Sequence, residues 1–161
     1  VEGFISRSEG GGYYVTGLDQ EDIIEIFGIR NVLESYAVKL AAQRRRQDEI
    51  DLLAEKIDEY QMTLEEGQLL ELPDINTQLH DLFYSMSHSC RLIKMINELK
   101  NQILRFRGFL LHSQDRASLS NEDHKKIMEC IRNRDADRAE KLMKEHILRG
   151  QNIVLQEFKK C

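Results

Sequence analysis

The chain has 161 residues, 41% hydrophobic and 32% charged, with a formal net charge of −5. That size holds one domain with a sizeable core, and the acidic balance argues against a free-standing nucleic-acid binder, whose footprint is basic. Cys90, Cys130 and Cys161 are odd in number and lack CxxC spacing, which argues against a disulfide framework or a zinc ribbon and for a reducing, cytoplasmic setting.

No run is apolar for long enough to span a membrane, and no signal peptide opens the chain, so no membrane association is expected. The opening Val1 reads as a trimmed start.

Residues 1–18, VEGFISRSEGGGYYVTGL, differ from everything after them. Two β-type patches, GFIS and YYVT, flank a Ser/Glu/Gly-rich stretch, the signal of a hairpin with a loop of several residues. From Asp19 the pattern is helical. A first helix is expected over about 20–45, with Ile23, Ile26, Phe27, Arg30, Leu33, Ala37, Leu40 and Ala41 on one stripe. Asp48 is expected to cap a second helix to about Glu66, and RRRQDE at 44–49 reads as a solvated helix end.

A third helix is expected over about 69–87, with Pro73 tolerated only near its start or as a kink. SHSC breaks it, and a fourth follows over about 90–112. Ser120 is expected to cap a fifth helix through Arg132, with Asp123 favouring its first turn, and Asp135 a sixth through about Phe158. Six helices joined by short links give an all-α bundle preceded by a short hairpin.

Three histidines fall on the inward stripes of different helices. His80 lies among Leu79, Leu82 and Phe83; His124 precedes Ile127, Met128 and Ile131; His146 lies with Leu142, Met143 and Ile147. Asn76 is one turn before His80. His88 lies in a break and His112 ends a helix off its stripe. A single inward histidine is ordinarily a hydrogen-bonded core residue. Three that converge would each cost about 1–3 kcal/mol if left without partners, and a divalent ion removes that cost. Imidazole nitrogens suit zinc, nickel or copper, but spacing alone leaves core packing and metal ligation both open.

Arg30 shares an apolar stripe with Phe27 and Leu33. It can snorkel, pair with Glu34, or offer a planar fork to a carboxylate or phosphate in a cavity. Arg105 and Arg107 face different sides of the fourth helix, and either could line such a cavity.

These segments resemble a known family. DIIEIFGIRNVLESYAVKLAA resembles the opening helix of the FCD ligand-binding domain of GntR-type, FadR-subfamily transcriptional regulators, where an arginine is followed three residues later by Leu-Glu, as Arg30 is by Leu33 and Glu34. NTQLHDLFYSMSHSCRLI is similar to that family's Asp-x-x-Phe-His segment and the turn after it, and NEDHKKIMECIRNRDADRAEKLMKEHI to its Glu-His…Gly-Asp…His stretch. The resemblance spans residues 19 to about 150. EGFISRSEGGGYYVTG resembles the wing that ends such regulators' winged helix-turn-helix domain, so the resemblance divides the chain into a wing remnant, 1–18, and an FCD domain, 19–161.

The resemblance implies a divalent metal, zinc or nickel, on His80, His124 and His146, with Asn76 where the family has an aspartate. Asp81 is a conceivable substitute. A neutral amide leaves the ion more positive, which favours a carboxylate completing its shell, with Arg30 and Arg107 as the effector contacts. The implied partners are a small carboxylate, polar rather than long-chain; a second copy of the chain; and operator DNA, through a winged helix-turn-helix domain that the sequence lacks. The resemblance implies an allosteric sensor and not an enzyme. The other readings are a metal-dependent hydrolase on a helical bundle, although no HExxH or GxSxG occurs, and a metal-free interaction bundle.

Overall fold

The computed structural model describes residues 5–7, 13–15 and 19–158. Strands β1 (Ile5–Arg7) and β2 (Tyr13–Val15) pair antiparallel, with Ser6 opposite Tyr14. The remainder of the expected hairpin, and Cys161, lie outside the described residues. Six helices follow: α1 (Gln20–Arg44), α2 (Gln47–Glu65), α3 (Leu72–Ser85), α4 (Cys90–Leu110), α5 (Gln114–Arg132) and α6 (Ala136–Phe158). The all-α bundle is as expected.

The starts of the helices follow their capping chemistry. Asp19 Oδ1 accepts from the Asp22 amide at 2.8 Å, and Asp22 Oδ2 accepts from the Asp19 amide at 2.9 Å, a reciprocal box that fixes α1. Asp48 does not cap α2. The Glu49 carboxylate accepts from the Arg46 amide at 2.8 Å, so the helix opens at Gln47. Gly67, at φ +73°, turns the chain after α2, and α3 begins three residues later than expected, with Pro73 in its first turn.

The largest departure is α5. Ser113, not Ser120, is its N-cap, with Oγ accepting from the Arg116 amide at 3.4 Å. The first turns, QDRASLS, bury only Ala117 fully, so hydrophobic spacing gives no helix signal there.

α6 packs antiparallel along α1, where Asn31 Nδ2 donates to the Lys144 carbonyl at 3.0 Å. One apolar cluster runs through the bundle from Ile23 and Phe27 to Phe83, Phe106, Ile127 and Ile147. A smaller one, around Tyr60, Leu72 and Leu111, closes the end formed by α2, α3 and the start of α5. No helix among the described residues is long and apolar enough to cross a membrane.

Candidate metal centre

The faces that carry Leu79 and Phe83 on α3, Ile127 and Ile131 on α5, and Met143 and Ile147 on α6 turn inward because apolar burial drives them there. They carry His80, His124 and His146 with them. One ring nitrogen of each lies within 4.8 Å of the other two. His80 and His124 are essentially fully buried, with Nε2 atoms 3.2 Å apart. That separation is close to the roughly 3.3 Å between two nitrogens on one tetrahedral zinc with bonds of 2.0–2.1 Å. Ring centroids are 5.0–5.5 Å apart across the three pairs.

The surroundings orient the rings. Arg30 Nε donates to Glu34 Oε1 at 2.8 Å, and the Tyr84 hydroxyl donates to Glu34 Oε2 at 2.5 Å. Burial pushes the Glu34 carboxyl up, but the Arg30 guanidinium and His80 outweigh it and hold the carboxyl well below its usual range. An ionised Glu34 is the better acceptor, so Tyr84 spends its proton there and its oxygen accepts from His80 Nδ1–H at 3.0 Å. Burial pushes the His80 imidazole down to about 3. His80 is therefore neutral, protonated on Nδ1, with the Nε2 lone pair facing His124.

On α6, His146 Nδ1 lies 3.0 Å from Asp123 Oδ2, and Arg149 pairs with the same oxygen. This carboxylate–imidazole pairing is the arrangement that orients metal-bound histidines. Burial raises the Asp123 carboxyl, yet His146 and Arg149 keep it below its ordinary value. Burial also holds His124 well below the usual imidazole range.

Asn76 is buried, and its Oδ1 has no hydrogen-bond partner among the described residues. An orphaned buried oxygen costs about 1–3 kcal/mol. Asn76, His80 and His146 line one cavity of about 80 Å³, with His124 a layer deeper against Tyr60. Three imidazoles and a spare amide oxygen suit a borderline divalent cation, and these are the residues that could hold one. The substitute ligand Asp81 is excluded by geometry: its carboxylate faces Lys100 at 2.7 Å on the surface. His88 pairs with Glu49, and His112 stacks on Phe109; neither approaches the cluster.

Both expected effector contacts line the cavity. Arg30 is already engaged with Glu34 and lies over the Phe27 ring, 4.9 Å from its centroid. Arg107 is also buried, and among the described residues no carboxylate pairs with its guanidinium. Burial lowers its pKa, a measure of how dry that charge is. Sequence spacing missed Tyr84, although it stands four residues after His80. It gave Asp123 a helix-start role, whereas Asp123 lies mid-helix and braces His146.

The FCD domain family matches residues 25–149. The chain is 27% identical over 160 residues to an uncharacterized HTH-type transcriptional regulator, YdhC, of Bacillus subtilis (strain 168), covering 98% of this chain and 69% of that protein. Among solved structures, E. coli McbR/YncC superposes with a TM-score of 0.77 at 21% identity, over 94% of this chain and 77% of that one. A GntR-family transcriptional regulator from Pseudomonas syringae pv. tomato str. DC3000 gives 0.72 at 24% identity, over 98% and 66%. YdhC and the Pseudomonas syringae protein are transcriptional regulators, not enzymes. With residues 25–149, most of its length, matched, the chain belongs to the FCD domain family.

Proposed function

We propose that this chain is the effector-sensing part of a GntR-type, FadR-subfamily transcriptional regulator. His80, His124, His146 and Asn76 hold a divalent cation, for which zinc and nickel are the best chemical match. A small carboxylate lies between that site and Arg107. The supporting observation is the convergence of three imidazole nitrogens beside a buried guanidinium with which no carboxylate among the described residues pairs.

A bound cation would supply a positive centre for an anionic oxygen. The chain's own residues do the rest: Arg107 offers paired donors to the carboxylate, Glu34 keeps Arg30 oriented at the cavity wall, and Tyr84 and Asp123 set the ring orientations. The ligand would act on operator binding only by favouring one arrangement of the bundle over another. The β1–β2 pair is consistent with the end of a wing, and a preceding winged helix-turn-helix domain would contact DNA. Exposed Ile24, Val32 and Tyr36 along one face of α1 fit pairing with a second copy.

The test is elemental analysis of the untagged chain after zinc dialysis, then calorimetric titration with acetate. One metal per chain, and acetate binding that disappears in Arg107→Met while metal content persists, are expected. A metal-free chain that melts identically with and without chelator would overturn the reading.

A further inference from the structure

The cavity is not uniformly polar. Along α6 it runs from His146 through Gly150 to Ile153; along α4 from Arg107 to Leu110; along α5 from Asp123 back to Leu119. Phe27 lies beside Gly150 on the opposing α1, where a Cβ on Gly150 would meet its ring at 3.4 Å. The helices run so that the histidines and Arg107 gather at one end and aliphatic and aromatic carbon toward the other, with Asn76 one turn back along α3 between them.

Polar groups do reach the apolar end, but they are engaged. Arg116 faces Glu157 at 3.3 Å, and Arg149 is paired with Asp123. A second carboxylate or a row of hydroxyls there would have to compete with Glu157 and Asp123 for those guanidiniums and would lose hydration against the carbon walls. Carbon-lined space of that kind also holds water poorly.

Resting on the carboxylate reading above, we propose that the ligand is a monocarboxylate with a compact apolar body, its carboxylate toward Arg107 and its body between Phe27, Leu110, Leu119 and Ile153. A cavity of about 80 Å³ has room for several water-sized groups, which suits a small acid and not a long chain. Isovalerate and succinate are nearly equal in size, so the lining and not the volume discriminates: a branched aliphatic body matches the carbon walls, and a second carboxylate or a polyol does not. This differs from the polar effector expected from sequence, because the aliphatic positions 110 and 153 read there as bundle core and 119 falls before the fifth helix as expected from sequence.

The experiment titrates the zinc-loaded chain with acetate, isovalerate, succinate and gluconate by calorimetry. Each buried CH₂ adds about fourfold in affinity, so isovalerate should bind roughly fiftyfold tighter than acetate if all three extra carbons are buried. It should also exceed succinate and gluconate by at least about tenfold. Gly150→Ala adds one methyl at ordinary contact distance from Phe27 and Leu110 and favours the helix, so the fold survives. It should cut the isovalerate-to-acetate ratio at least about fivefold while acetate still binds.

Succinate or gluconate binding as tightly as isovalerate would overturn this proposal and leave the carboxylate reading standing. An unchanged ratio in Gly150→Ala would remove the apolar body from this end. Failure of every acid, acetate included, would sink both readings.

Discussion

Tyr84→Phe removes one oxygen from the centre of the network and changes almost no volume. In the parent chain that oxygen donates to Glu34 at 2.5 Å and accepts from His80 at 3.0 Å. Without it, Glu34 Oε2 loses its donor, and the nearest acceptor for His80 Nδ1–H is that same oxygen, 3.6 Å away. A hydrogen bond to a buried charge is worth about 1.5–3 kcal/mol. Urea unfolding of the metal-free variant should therefore show a loss of about 2–4 kcal/mol once the imidazole's own unmet donor is included.

The metal should respond separately. His80 would no longer be held with Nε2 bare and aimed at His124, and loss of such an outer partner typically costs 10–100-fold in affinity. Competition against a chromophoric chelator measures this directly. With Glu34→Gln, the double-mutant cycle should be non-additive by at least about 1 kcal/mol, since both changes break one chain of bonds. Zinc affinity in Tyr84→Phe within twofold of the parent would refute the tautomer argument.

Three other outcomes are expected. His80→Ala should lower bound metal and the zinc-dependent rise in melting temperature together, by elemental analysis and calorimetry; full metal content would remove His80 from the site. Asn76→Asp adds the charge that the amide lacks, so zinc affinity should rise at least about tenfold while the metal-free form loses about 1–3 kcal/mol, read by chelator competition and urea melts. For the metal-free chain, burial holds His80 near 3 and His124 far below the ordinary 6.5. The unfolded chain therefore binds more protons below pH 6.5, and stability present above that pH falls on acidification. Between pH 6.5 and 4.5 the slope should approach about 1.4 kcal/mol per unit for each histidine, and a flat profile would contradict the burial of both rings.

Much of this was legible in the chain. Helical periodicity located all six helices, because each buries a stripe at 3.6-residue spacing, and it put His80, His124 and His146 on those stripes. Arg30 was readable in two ways. The structure shows its ion pair with Glu34, and it also lies at the cavity wall. What escaped was whatever depends on partners outside the local segment. Glu49 capping α2 across Arg46 and Ser113 opening a polar stretch of α5 are competitions between nearby side chains that spacing does not rank. Tyr84 and Asp123 join the site through hydrogen bonds to Glu34 and His146, 50 and 23 positions away, to which Tyr84 adds its local bond to His80. Periodicity places a residue on a face but says nothing of what meets it there.

The histidines stand on α3, α5 and α6, and α4 contributes none. An ion shared among them would act as a clasp across the bundle, tying the part of the chain before α4 to the part after it. Cutting the polypeptide in the short turn between α4 and α5 would then leave two pieces already joined along α1 and α6, whose separation in urea would need more denaturant with the ion than with a chelator.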